Sequence, residues 1–177
     1  MEPHSVAERI REYFPEEVLS IEDFRDETTV TVKKESIYNI CKFLKESSFL
    51  SMDFLRDVTA LDWLGRKSLR YEVIYHIYSI KNECMIRLKV PVSDDDLYVD
   101  SVSTIWKGAN WHERECYDMF GIVFSSHPDL RRILMPEDWE GYPLRKDYPA
   151  EGPQEEWRGF KEVLKKAEEY AKYEWNR

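Results

Sequence analysis

Two apolar-rich runs, 70–80 ("RYEVIYHIYSI") and 83–90 ("ECMIRLKV"), are separated only by Lys81 and Asn82. A link that short can join antiparallel neighbours but not parallel ones, so the middle of the chain has to hold a hairpin. Asn82 is the link residue that tolerates a positive φ. An earlier hairpin is expected from "VLSIEDF" and "TTVTVKK", where Val30 and Val32 alternate with Thr29, Thr31 and Lys33. Between the hairpins, Ile37, Ile40, Cys41 and Leu44 fall at i, i+3, i+4 and i+7, which predicts a helix over 35–46 with those four on one buried face. Ser5 and Glu8 form a candidate capping box for an opening helix that carries Ile10, Tyr13 and Phe14. Pro91 and the acids Asp94 to Asp96 read as the end of the sheet. Strands interrupted by a helix, without β-α-β alternation, predict an α+β fold: a mainly antiparallel sheet covered by helices.

Charge and cysteine content narrow the function. Lys and Arg total 26 against 35 Asp and Glu, a net charge of −9, which repels phosphate backbones and makes nucleic acid an unexpected partner. Cys41, Cys84 and Cys116 are far apart. No CxxC pair is present to hold zinc or an iron–sulfur cluster, and the odd count suits reduced cytosolic thiols. The apolar runs are short and "MEPHSVAERI" has no apolar signal core, so neither a membrane span nor secretion is expected. That leaves attachment to a membrane complex open.

Beyond Met135 the composition changes. "PEDWEGYPLRKDYPAEGPQ" has four prolines yet also Trp139, Tyr142, Leu144 and Tyr148. Linkers are poor in large aromatic side chains because nothing shields them from water, so this stretch reads as an extended arm made to lie on a partner. After it, Trp157, Phe160, Leu164, Ala167 and Ala171 repeat at helical spacing beside Lys161, Lys165, Lys166, Glu168 and Glu169, which predicts a terminal amphipathic helix. Three parts are expected: an α+β domain over 1–134, an extended arm over 135–153 and an amphipathic helix over 154–177.

The segment "NWHERECYDMFG" (110–121) contains His112-Glu113-x-x-Cys116, one residue from the zinc-hydrolase pattern H-E-x-x-H. His112 and Cys116 share a helical face with Glu113 beside them as a potential base, but a catalytic zinc takes three protein ligands, and His127 is the only nearby candidate. The competing reading is a helix with Trp111, Cys116, Met119 and Phe120 turned inward. On that reading Glu115 lies on the face set by Trp111 and Met119 and needs a cationic partner, for which Arg131 and Arg132 are the nearest in sequence.

The whole stretch "NWHERECYDMFGIVFSSHPDLRRILMPEDWEGYPLRKDYP" resembles the signature region of the 30-kDa (C) subunit family of the proton-pumping NADH:quinone oxidoreductase, respiratory complex I. The resemblance rests on Glu113-Arg114-Glu115, Asp118 followed by two apolar residues, His127, Arg131, and the run Gly141-x-Pro143-Leu144-Arg145-Lys146-Asp147-Tyr148-Pro149. It covers about 106–149; the first hundred residues match only in layout. Two departures are Ser126, where the family commonly has Gly before the His, and Tyr142, where His is frequent.

The resemblance implies a structural subunit with no catalytic or metal residues of its own and no bound cofactor; NAD, FMN, iron–sulfur clusters and quinone belong to other subunits of the complex. It implies docking on the quinone-site D subunit (49-kDa type) near the iron–sulfur subunits of B and I type, peripheral on the cytoplasmic side of the inner membrane. The signature residues Glu113, Arg114, Glu115, Asp118, His127, Arg131, Arg132, Leu144, Arg145, Lys146, Asp147 and Tyr148 become candidates for partner binding. Two alternatives remain open at this level: the equivalent subunit of a membrane-bound hydrogenase or another quinone- or ferredoxin-linked complex, and a metal hydrolase using His112, Glu113 and Cys116.

Overall fold

A computed structural model describes residues 2–152 and 158–171. The chain runs α1 (Pro3–Tyr13), β1 (Val18–Phe24), β2 (Glu27–Val32), a short 3-10 turn (Lys34–Ser36), α2 (Ile37–Glu46), β3 (Phe54–Asp62), β4 (Tyr71–Ser79), β5 (Cys84–Val92), β6 (Tyr98–Asp100), α3 (Ala109–Phe120), β7 (Val123–Ser125) and α4 (Arg158–Ala171). The first five strands form one sheet in the order β1-β2-β5-β4-β3, antiparallel except between β2 and β5. β6 and β7 pair in parallel as a separate ribbon. This is the expected α+β architecture, with a mostly antiparallel sheet under helices.

One face of the sheet carries the core. Along β5 burial alternates strictly, and Ile86, Leu88, Val90 and Val92 point inward with Val73, Tyr75 and Ile77 of β4 and Val30 and Val32 of β2. Val6, Ala7 and Ile10 of α1 and Ile37, Ile40, Cys41 and Leu44 of α2 join the same apolar cluster, as predicted for α2. Each such side chain taken fully out of water contributes about 1.5–3 kcal/mol before entropic costs. The other face is tied by polar bonds: Asp57 to His76 at 2.8 Å, His76 to Arg87 at 2.9 Å, and Arg87 on to Thr29 at 3.3 Å.

Several local expectations need correction. Helix α1 starts at Pro3, so Ser5 lies inside it, and no side chain caps its N-terminus; proline's fixed φ starts the first turn instead. In the β4–β5 turn the positive φ falls on Glu83, at 51°, while the Asn82 side chain donates to the carbonyls of Phe49 and Leu50. The sheet does not end at Pro91, which pairs with Glu72 inside β5. β2 pairs with β5 only as far as Lys89, so proline's missing donor is not needed on that side. Strands β3, β6 and β7 were not foreseen. Among the described residues no helix is long and apolar enough to cross a membrane.

Trp157 lies outside the described residues, as do the side chains of Phe160 and Ala171. Residues 161–170 of α4 are exposed, including Val163, Leu164 and Tyr170.

Candidate functional site

Helix α3 packs on β3 and places the central signature residues. Its buried face is Ala109, Glu113, Cys116 and Phe120, spaced at i, i+4, i+7 and i+11, with Asp118 and Met119 beside them. Trp111 is therefore not inward as predicted but 62% exposed, and Glu115 is exposed with it. The carboxylates that enter the core are Glu113 and Asp118, each with no accessible side-chain surface. Arg131 reaches neither; it is exposed and pairs with Asp129 at 3.0 Å. Arg114 is buried, stacks on Trp111, and donates to the carbonyls of Arg131 and Arg132.

Asp118 organises the chain that follows β7. Its Oδ2 accepts the backbone N–H groups of Ile133, Leu134 and Met135 at 3.0, 2.7 and 2.8 Å, and its Oδ1 takes Arg132 Nη1 at 2.7 Å. Burial alone would raise its pKa, but these donors favour the ionised form more strongly and hold it below the ordinary carboxylate value. The second terminal nitrogen of Arg132 passes the connection onward, donating to the carbonyls of Trp139 and Gly141.

The arm predicted to depend on a partner lies on its own domain. Leu144 N–H donates to Met119 O at 3.1 Å, and Arg145 Nε to Phe120 O at 2.7 Å. The Arg145 guanidinium sits over the rings of Tyr71 and Tyr142. Gly121 permits this closeness: its φ of 78° ends α3 in the left-handed region, and a Cβ there would meet Arg145 Nη2 and Tyr142 Cε2 at 2.6 Å. Further along, Lys146 N–H donates to Asp62 at 2.8 Å and Asp147 accepts Arg70 Nη2 at 2.6 Å, while Tyr148 Oη reaches Glu140 O at 3.2 Å. Arg70, before β4, also grips Asp62 through two bonds of 3.0 and 2.9 Å and Asp94 through one of 3.1 Å. Against the effect of burial, Arg70 and the amides of Lys146 and Leu64 bring Asp62 down to about 2. The Arg70 cluster was missed because its members are so far apart in sequence, Arg70 and Asp147 by 77 residues and Asp62 and Lys146 by 84.

His127 ends the β7 turn beneath α3, its side chain fully buried, with Nε2 donating to Asn110 O at 3.2 Å. Ser126 before it has φ 63°, the left-handed turn that glycine adopts without strain. Ser126→Gly is expected to raise stability by up to about 1 kcal/mol, the relief of left-handed strain less the added freedom of the unfolded chain. A lower urea midpoint for the variant would assign the serine a stabilising contact instead.

The metal reading gains no geometry. Burial raises the Cys116 thiol well above its ordinary value, so it stays protonated, with Sγ 3.6 Å from Val58 O, and a protonated thiol is a poor metal ligand. Glu113 is held by Ser101 and Val102. Among the described residues no three His, Cys, Asp or Glu side chains are grouped to hold an ion.

With these bonds made inside the chain, the region still turns apolar side chains outward beside the exposed charges of Glu115, Arg131, Lys146 and Asp147: Trp111, Leu134 and Leu144 are each more than half exposed, and α4 carries exposed Val163, Leu164 and Tyr170. The arrangement therefore offers a surface for contact.

Comparison with known proteins accounts for this pattern. Residues 30–154 match the family model described as respiratory-chain NADH dehydrogenase, 30 Kd subunit. The C subunit of NADH-quinone oxidoreductase from Geobacter sulfurreducens is 51% identical over 148 residues, 84% of this chain and 90% of that protein. The same-named protein of Geobacter metallireducens is 52% identical over 82% of this chain and 88% of its own length. In Roseiflexus sp. (strain RS-1) the figure is 47% over 82% and 83%. Among solved structures, Nqo5, as its trypsin-resistant fragment (1-134), superposes with a TM-score of 0.62 at 29% identity, over 73% of this chain and all of that one. A chain of an archaeal membrane-bound sulfane sulfur reductase shares the fold, with a TM-score of 0.68 at 21% identity over 100% and 98% of the two chains. By the extent of the family match and the identity to these relatives, the chain belongs to the 30-kDa subunit family of the respiratory-chain NADH dehydrogenase, which includes the C subunits of bacterial NADH-quinone oxidoreductases.

Proposed function

We propose that this chain is a non-catalytic assembly subunit in the hydrophilic arm of an NADH:quinone oxidoreductase, docked on the D subunit and close to the iron–sulfur subunits of B and I type. It holds no cofactor of its own and sits on the cytoplasmic face of the membrane as a peripheral component. The observation that carries this reading is the division of labour within the signature. Glu113, Asp118, Arg132, Arg70 and Arg145 are engaged inside the chain, whereas Trp111, Leu134, Leu144 and the exposed apolar residues of α4 face outward. Buried charges that shape the backbone, with single large apolar side chains left exposed among polar ones, suit protein docking, where a few anchors carry most of the affinity.

The test is capture of a co-expressed D subunit by the full chain and by Leu144→Asp and Leu164→Asp. Both variants are expected to melt with the parent, because both side chains are exposed. Both are also expected to bind the D subunit at least about tenfold more weakly, the loss typical of an interface anchor. Full retention of the D subunit by both variants would overturn the docking assignment.

A further inference from the structure

Glu113 is a buried carboxyl to which the described residues offer hydrogen-bond donors and no paired Lys or Arg. Oε1 accepts the Val102 N–H at 2.7 Å, and Oε2 lies 2.6 Å from Ser101 Oγ. Ser101 Oγ is in turn 2.7 Å from Ser103 Oγ and accepts the Ser103 N–H. The nearest base is His127, whose Nε2 stands 3.9 Å from Oε2, an ion-pair distance. The ring is nevertheless neutral. The Asp129 N–H points at Nδ1 from 3.0 Å, and since a backbone amide can only donate, Nδ1 accepts and the single ring proton lies on Nε2, directed at Asn110 O. Charging the ring would set a second N–H against that amide.

The other titratable neighbours supply no counter-charge. Cys41 of α2, Cys116 of α3 and Tyr75 of β4 are close enough to feel the Glu113 charge, and burial keeps all three protonated. Asp100 of β6 acts on Tyr75, and Asp129 and Arg114 act on His127. The Arg114 guanidinium is engaged with the carbonyls of Arg131 and Arg132.

We propose that Glu113, Ser101 and Ser103 form a binding site for a single proton, and that its occupancy sets how firmly the segment after β6 is fastened to α3. With the proton bound, the Glu113 O–H donates to Ser101 Oγ, whose own hydrogen turns to Ser103 Oγ. With the proton gone, the Ser101 O–H turns back to the carboxylate, and the Val102 bond persists in both states. The proton is exchanged with solvent through Ser103, which retains 8% exposure at the end of the hydroxyl chain. Two rotatable hydroxyls in series let both states stay bonded, which a backbone cage of fixed donors would not allow.

The pKa has a definite sign. Burial lifts the Glu113 carboxyl to about 7 in opposition to its bonds from Ser101 and Val102, so the folded chain holds this proton more tightly than the unfolded one. Its stabilising contribution is complete below the unfolded value of 4.5 and is lost as pH rises through about 7. Between pH 6 and 8 the folded-to-unfolded ratio should fall about tenfold from this group alone. His127 works the other way: burial lowers its pKa, so its cost grows as pH falls below its ordinary value of 6.5.

Urea unfolding of the full chain from about pH 5.5 to 8.5, for the parent and Glu113→Gln, separates the two groups, since the His127 contribution is common to both. The parent is expected to lose about tenfold more in its folding constant than the variant across pH 6 to 8. Infrared spectra of the parent should show one protonated carboxyl that ionises near neutrality and is missing from Glu113→Gln. Ser101→Ala should move that ionisation to higher pH by deleting a bond that favours the charged form, a shift that loss of packing would not produce. If Glu113→Gln does not fold, the infrared midpoints of the parent and Ser101→Ala decide alone. A carboxyl already ionised at pH 5.5, or an unmoved midpoint in Ser101→Ala, overturns the proposal.

Discussion

Asp118→Ala is expected to lower the melting temperature of the full chain by about 10 °C, while Glu115→Ala, three residues earlier on the same helix, leaves it within about 1 °C. The asymmetry follows from burial. Asp118 is wholly enclosed and holds Arg132 together with three consecutive backbone amides, so alanine would leave a half-buried guanidinium and three donors without their acceptor. Removing one member of a buried pair costs about 3–5 kcal/mol, because the survivor keeps its desolvation penalty. In a chain of this length each kcal/mol is worth about 2–4 °C. Glu115 is exposed and leaves nothing desolvated when it is removed. Asp118→Asn gives an intermediate arm of the experiment: one carbonyl oxygen remains for the amides, but the charge facing Arg132 is gone. Differential scanning calorimetry of the three variants would settle the assignment. Equal losses for Asp118→Ala and Glu115→Ala would mean that the 133–135 backbone is held by something other than the Asp118 carboxylate.

The contrast between these two carboxylates also shows what a sequence reveals and what it hides. Helix α2 was legible in full, because Ile37, Ile40, Cys41 and Leu44 are apolar and their periodicity is the whole of their structural message. The β4–β5 hairpin was equally legible, its short link leaving one topology. Strand β3 was not: a bulge between Leu55 and Asp57 breaks the two-residue alternation, so Phe54–Asp62 follows neither the strand nor the helix period throughout. In helix α3 Cys116, Met119 and Phe120 are inward as their apolar character predicts, but Trp111 is not, and Glu113 and Asp118 enter the core, which apolar periodicity does not predict. A buried carboxylate is tolerated only through its partners, and those of Glu113 and Asp118 sit at 101–103 and 132–135, on segments that periodicity does not connect to the helix. The arm was misjudged for the same reason. Its prolines and aromatics announce an extended stretch, but the groups that hold it are Arg70 and Asp62, from the loop and strand edge far earlier in the chain.

That latch sets the second large effect. Arg70→Ala is expected to destabilise the chain by about 3–5 kcal/mol and to open the arm between 136 and 149 to protease. Arg70 is buried and links three carboxylates, two of which, Asp94 and Asp147, are about half exposed and can turn to water when released. Asp62 cannot, having 1% of its side chain accessible, so its charge would be left with only the amides of Leu64 and Lys146. The loss therefore concentrates on Asp62, and with it goes the ion pair that fixes Asp147. Asp147→Asn separates the two consequences: its pair is solvent-screened and worth at most about 1 kcal/mol, yet it is the arm's own ionic contact with the latch. Asp147→Asn should accordingly leave the melting temperature nearly unchanged while raising the rate of cleavage within 136–149. The same cluster dictates an acid response. Asp62 has a folded value of about 2 against 3.8 for the free carboxyl, so its contribution is full above 3.8 and fades as pH falls toward 2. Arm cleavage by an acid-active protease should therefore accelerate over that interval in the parent, and much less in Arg70→Ala, whose latch is already open. An arm equally resistant in the parent, Asp147→Asn and Arg70→Ala would place its anchorage at Leu144 and Arg145 on the end of α3, with the Arg70 cluster serving only the sheet.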